Sequence, residues 1–377
     1  MKFYTLTFVM AAFLVLLFNQ AYSASISSGD VFNCGITNSG VAKCWGGNGS
    51  GQLGNGATID SHMPVDVVGL QQPLVMISAG GYHACAVNNN GGVQCWGNNQ
   101  QGQLGDGTTI HRSTPVQVVR LSAGVISVVA AEDFSCALTQ EGSVKCWGAN
   151  YYGQLGNGSF TSSSTPVDVK GLQRGIIALA AMGCHACALT SSGAVKCWGL
   201  NNDGELGNGT NINSNIPVDV DGLHSGVTAI TAGHSHSCAV TIDGAMTCWG
   251  QNKYGQLGDN STQSSNVPVK VYGLRAGVEK ISAGLWHTCM MTYNHVAQCW
   301  GSNINGSLGN GTEEQSDIPV KVHANQMLKE ISSGDFTTCA LTVYGQAQCW
   351  GSNQFGKLGN DSTVNNSTLP VDVIHFD

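Results

Sequence analysis

Cysteine and histidine offer this 377-residue chain most of its chemistry. Fourteen of its 15 cysteines fall into pairs ten positions apart: Cys34 with Cys44, Cys85 with Cys95, Cys136 with Cys146, Cys187 with Cys197, Cys238 with Cys248, Cys289 with Cys299 and Cys339 with Cys349. Around the fourth pair, Cys187-Ala-Leu-Thr and Val195-Lys-Cys197-Trp read as strands joined by Ser191-Ser192-Gly193, a three-residue hairpin loop with glycine at its left-handed position. Setting residue 190 opposite 194 sets 187 opposite 197. Opposed residues of an antiparallel pair have Cα atoms about 4.5–5.5 Å apart, within disulfide range. Every copy is therefore predicted to staple its own hairpin, which stabilises it by about 2–3 kcal/mol in the chain-entropy model.

Cys184 is left over. Cys184-His185-Ala186-Cys187 has the spacing of a redox motif, but Cys187 already has a partner in Cys197. Cys184 therefore reads as a lone thiol, free or bridging two chains into a dimer. His185, His236 and His287 have the composition of a three-histidine zinc site, but copies spaced around a ring hold them apart, and no metal is expected. Asp30 and Asp335 stand in the first and last copies. They would meet on ring closure as a carboxylate pair of the kind that hydrolyses glycosides, although nothing in the spacing selects that role. No G-x-x-x-x-G-K-[ST] phosphate cradle occurs. The chain reads as a non-enzyme without a cofactor.

The positions four to two before each first cysteine hold Asp30-Val31-Phe32, Gly81-Tyr82-His83, Glu132-Asp133-Phe134, Gly183-Cys184-His185, His234-Ser235-His236, Leu285-Trp286-His287 and Asp335-Phe336-Thr337. Identical positions build a fold, whereas varied aromatics on a rigid ring are what a binding rim presents. The candidate rim is Phe32, Tyr82, His83, Asp133, Phe134, Cys184, His185, His234, His236, Trp286, His287, Asp335 and Phe336. For His83, His185, His236 and His287 the competing reading is hydrogen bonding between units. Trp286, which lies outside the Cys-Trp-Gly set, is expected to be exposed, because its column also holds Val31, Asp133 and Ser235.

The elements that position these loops repeat. Cys-Trp-Gly recurs at Trp45, Trp96, Trp147, Trp198, Trp249, Trp300 and Trp350, a period of 51 that shortens to 50 at the last step. Such a period marks an array or a propeller. Each copy reads as four strands: an apolar β-branched run, the two cysteine strands and, after a G-x-L-G turn, a Pro-Val-x-Val segment. That proline suits the start of an outer-edge strand. The first and last copies are as regular as the rest, so the array is predicted to close into an all-β, seven-bladed propeller rather than to need caps. The blades are placed at 24–73, 74–124, 125–175, 176–226, 227–277, 278–327 and 328–377.

Residues 1–23 read as a signal peptide: Lys2, the apolar run Phe8–Phe18 and a cleavage site near Ser23. Export to an oxidising compartment, periplasmic or extracellular, matches the paired thiols, and no membrane anchor is expected once the leader is removed. A net charge of −8 gives no footprint for nucleic acid. Asn48, Asn157, Asn208, Asn260, Asn305, Asn310, Asn360, Asn365 and Asn366 satisfy N-x-[ST].

The unit G-x-x-H-x-C-A-L-T-x-x-G-x-V-x-C-W-G-x-N-x-x-G-Q-L-G resembles the repeat of the regulator of chromosome condensation family, over essentially all of residues 24–377. The resemblance implies a seven-bladed propeller of four-stranded blades. The family includes a guanine-nucleotide exchange factor, an ultraviolet-B photoreceptor and a secreted β-lactamase inhibitor, so fold alone does not carry function. Even spacing leaves no room for an exchange factor's inserted wedge, and a photoreceptor's tryptophan cluster is missing outside Trp286. The expected function is protein binding by the rim loops, with exchange-factor activity as the alternative and a glycan-acting enzyme behind it.

Overall fold

The computed structural model describes residues 24–377; the leader assigned to residues 1–23 lies outside them. Each copy folds as its pattern directs. In the fourth, Ile176–Met182, His185–Thr190, Val195–Gly199 and Ser214–Asp219 are consecutive strands, each antiparallel to the next. The hairpin closes as expected: the Thr190 amide donates to the Ala194 carbonyl, and Gly193 has φ +79°. The sixth blade has His295 at that left-handed position, φ +61°.

Seven such four-stranded sheets form, each from its own consecutive strands. Among the described residues no terminal strand crosses over to complete another blade. Cys187 lies opposite Cys197, and all seven predicted disulfides are present, with Cα atoms 4.0–4.1 Å apart. That is a little closer than an unbridged strand pair.

One detail differs from the sequence reading. Pro64 lies inside the outer strand Ser61–Asp66, not at its start. Cys44 pairs with Val65 and Gly46 with Ser61, so a bulge leaves residues 62–64 out of the ladder. Proline costs no hydrogen bond where the ladder is already interrupted.

The blades are joined by a bond repeated around the ring. Each Cys-Trp-Gly tryptophan is buried and donates its indole N–H to the backbone of the preceding blade. The acceptor is the carbonyl of residue x in G-x-L-G, as in Trp96 to Gln52, 2.8 Å, and Trp147 to Gln103, 2.8 Å. The seam between last and first blades uses the same bond, Trp45 to Lys357, 2.9 Å. Phe376 adds an edge-on contact to Trp45, with centroids 5.8 Å apart. No helix among the described residues is long and apolar enough to cross a membrane.

Candidate functional site

The turn between first and second strands and the loop between third and fourth emerge at the same end of an antiparallel blade. Fourteen loops thus gather on one face around the axis. The position two before the first cysteine does not reach that face. Phe32, His83, Phe134, His185, His236 and His287 are all buried, which removes them from the candidate rim. Each packs against the next blade. His83 Nε2 lies 2.7 Å from Ser135 Oγ, His185 2.8 Å from Ser237, His236 2.7 Å from Thr288 and His287 2.9 Å from Thr338. Where the residue is Phe32 or Phe134, the facing residue is Ala84 or Ala186, in the same core cluster. The variation in this column is interface matching: imidazole against hydroxyl, benzyl against methyl. Burial pushes His83, His185 and His236 down to about 3 and His287 to about 4. The histidines weighed as a zinc site occupy separate interfaces and do not converge.

The position three before the cysteine does reach the face. Trp286 is half-buried, not freely exposed, because neighbours flank it on both sides. Tyr254 from the fifth blade stacks on it at 4.7 Å and 32°, and Phe336 from the seventh meets it edge-on at 5.3 Å and 78°. Tyr82 and Phe355 remain 43% and 40% exposed. The aromatic groups run as an arc from the fifth blade through the seventh to the second. Tyr254 and Phe355 lie just before the G-x-L-G turn, where their column also holds Tyr152, Asp203 and Asn305.

The other half of the face is acidic and meets the axis. A channel of about 200 Å³ runs between the inner strands, lined by small residues including Ser78, Ala130, Thr231 and Ser282. Glu132 Oε2 of the third blade and His234 Nε2 of the fifth lie 3.5 Å apart across the intervening fourth blade. Gly183 makes the span possible: it has φ +52°, and a Cβ there would stand 2.3 Å from the His234 carbonyl oxygen. The contact lowers the Glu132 pKa and raises that of His234.

Cys184 Sγ donates to Glu132 Oε2 at 3.6 Å. Burial, then the Glu132 charge, pushes its thiol up to about 12. Disulfide exchange needs thiolate, so Cys184 is a poor nucleophile at neutral pH.

Burial, followed by the charge of neighbouring Asp335, holds Asp30 well above the usual carboxylate range. Lys357 Nζ donates to the Asp30 carbonyl at 2.9 Å, and burial lowers its amine to about 8.

Lys357 and Glu205 are features that sequence reasoning passed over. Both stand in the column that otherwise reads Gln52, Gln103, Gln154, Gln256 and Ser307. Gln103 donates to Asp133 Oδ1 at 3.1 Å, whereas buried Glu205 has no donor for Oε1. Burial raises its carboxyl to about 7. Asn48, one of the residues that satisfy N-x-[ST], is fully buried and fixes the loop through Leu53 and Ala57.

Comparison with known proteins agrees with this architecture. The family model for the regulator of chromosome condensation (RCC1) repeat matches residues 44–87, 90–138, 141–189, 192–240, 243–291 and 299–341. Among curated proteins, the ultraviolet-B receptor UVR8 of Arabidopsis thaliana is 32% identical over 74% of this chain and 65% of its own length. The probable E3 ubiquitin-protein ligase HERC6 of Homo sapiens is 35% identical over 69% of this chain, and this chain spans only 26% of that protein. Among solved structures, yeast RCC1 (Prp20) bound to Kap60 superposes with a TM-score of 0.80 at 22% identity, covering 88% of this chain and 83% of that one. Human WBSCR16 gives 0.76 at 24%, covering 85% and 87%. At such identity the structures speak for the fold alone, while the sequence match extends over most of the chain: it belongs to the regulator of chromosome condensation (RCC1) repeat family.

Proposed function

We propose that this chain is an exported, non-catalytic propeller that binds a protein through its axial loop face. The observation that carries the reading is the Tyr254–Trp286–Phe336 stack. These rings sit at columns that other copies fill with Asn305, Ser235 or Cys184, so blade architecture does not demand aromatics there. Partly exposed, pre-stacked rings on a rigid scaffold supply contact area at little entropic cost. Seven disulfides support an oxidising destination.

Neighbouring folds are described with protein partners: yeast Prp20 with Kap60, and with Gsp1p and histones. This favours a macromolecular partner over a small ligand. Exchange-factor activity is the second reading, and the even repeat spacing, which leaves no inserted wedge, speaks against it.

Affinity capture from the protein's own extracellular medium tests the proposal, with wild type and Trp286→Ala compared. Trp286→Ala should lose the captured protein while keeping its fold. Catalysed nucleotide release from a small GTPase, or capture unchanged by Trp286→Ala, would overturn it.

A further inference from the structure

The loop face is uneven at the seam between last and first blades. After Cys-Trp-Gly, other copies carry side chains such as Tyr151, Lys253 and Ile304 where the first has Gly49, and Asn98 or Gln251 where it has Gly47. The missing side chains open a cleft of about 450 Å³. It is lined by Tyr82 from the second blade and Phe355 from the seventh, with Gly47, Gly49, Gln52 and Asp60 of the first. Space above Gly49 is free, since a Cβ there would meet nothing within 4 Å, whereas one on Gly47 would stand 3.2 Å from the Val31 carbonyl oxygen.

The cleft is apolar in its walls and negative in its surroundings. Asp60 Oδ1 accepts the Asn48 amide at 2.7 Å, and its second oxygen has no protein partner among the described residues. Burial and then the charges of Asp30, Asp335, Glu132 and Asp133 raise the Tyr82 hydroxyl pKa. A neutral aliphatic side chain would fill the space and leave the charge unanswered. An ammonium would answer the charge without matching the flat walls. A guanidinium does both, because it is planar, weakly hydrated and stacks on aromatic faces.

We propose that this cleft is a subsite for an arginine side chain of the protein partner, its guanidinium laid against the Tyr82 and Phe355 rings beside Asp60. The inference rests on the binding face proposed above and gives the partner its chemistry.

The test is an NMR titration of the isotope-labelled protein with two probes, N-acetyl-arginine methylamide and N-acetyl-leucine methylamide. The arginine probe should shift the amides of Gly49, Ser50, Asp60 and Tyr82, and the leucine probe should bind at least about tenfold more weakly. Tyr82→Ala should weaken arginine binding about tenfold. Gly49→Leu should do the same by filling the cleft; its backbone is not left-handed, so the fold tolerates the change. Trp286→Ala should leave the arginine probe unaffected. Equal binding of both probes, shifts confined elsewhere, or no shift with arginine overturns the subsite. If the arginine probe fails while Trp286→Ala still abolishes capture, the subsite falls and the binding face stands.

Discussion

Ser135 Oγ lies 2.7 Å from His83 Nε2 and, with its one proton, donates to the Gln103 carbonyl at 2.9 Å. The hydroxyl proton is thus committed, so Nε2 of His83 must carry the ring proton and donate. The same relay runs through Ser237, Thr288 and Thr338 to the carbonyls of Glu205, Gln256 and Ser307. Four blade interfaces thereby fix the Nε2–H form of the ring, and burial disfavours its charged state.

Acid should loosen these interfaces. The unfolded chain protonates each imidazole near about 6.5, the folded one near 3 to 4. Between those values the unfolded state holds more protons, so stability falls as pH drops. Each histidine contributes up to about 1.4 kcal/mol per pH unit. Urea unfolding with disulfides intact should show the loss setting in below about pH 6.5, and His83→Gln should reduce its slope by about one proton.

Glu205 should act in the opposite sense. Its folded carboxyl titrates at about 7, above its unfolded value, so the folded state holds the extra proton and stability falls as pH rises through that interval. Glu205→Gln restores the residue found in four other blades. It should stabilise the protein by on the order of 1–3 kcal/mol above about pH 7 and have little effect under acid conditions. A gain that persists at low pH would contradict this assignment.

Thiol chemistry provides a third check. Non-reducing peptide mapping should recover only the seven bridges within blades, and maleimide should label Cys184 slowly in the native state at about pH 8, and rapidly after denaturation. Covalent dimers through Cys184 should not accumulate.

Trp286 and Trp198 should respond differently to truncation. Trp198 is buried and donates to the Gln154 carbonyl at 2.9 Å, so Trp198→Ala should cost about 3–5 kcal/mol. Trp286 is half-buried between two rings, and Trp286→Ala should cost about 1–2 kcal/mol, from stacking and partial burial. Thermal unfolding of the two variants measures the gap; equal losses would make Trp286 an ordinary core residue.

How much of this was legible in the sequence depends on what repeats. The hairpin, its disulfide and the closed ring are readable because each copy restates them, down to Cys187 opposite Cys197. The rim was read too broadly. His83 and Phe134 vary as a ligand-binding column would, and only comparing neighbouring copies reveals the rule that His faces Ser or Thr while Phe faces Ala. Pro64 was placed a few residues out because bulges have no composition signal. Glu205 and Lys357 were visible as odd members of a glutamine column, but their burial and the nearness of Asp30 to Asp335 depend on ring closure, which brings distant segments together. The Tyr82–Phe355 cleft also needs three blades in register.

The prolines in the outer strands have a consequence for molecules in crowded solution. A propeller presents one open strand edge per blade, and a continuous row of amide donors there would let another chain add on as an extra strand. Pro64, Pro115, Pro166, Pro217, Pro268, Pro319 and Pro370 each remove a donor from such an edge, and the register shift beside each one bends the edge away from a straight template. With that row interrupted at every blade, the molecule resists edge-to-edge polymerisation, and contact with other proteins is steered toward side chains on the loop face.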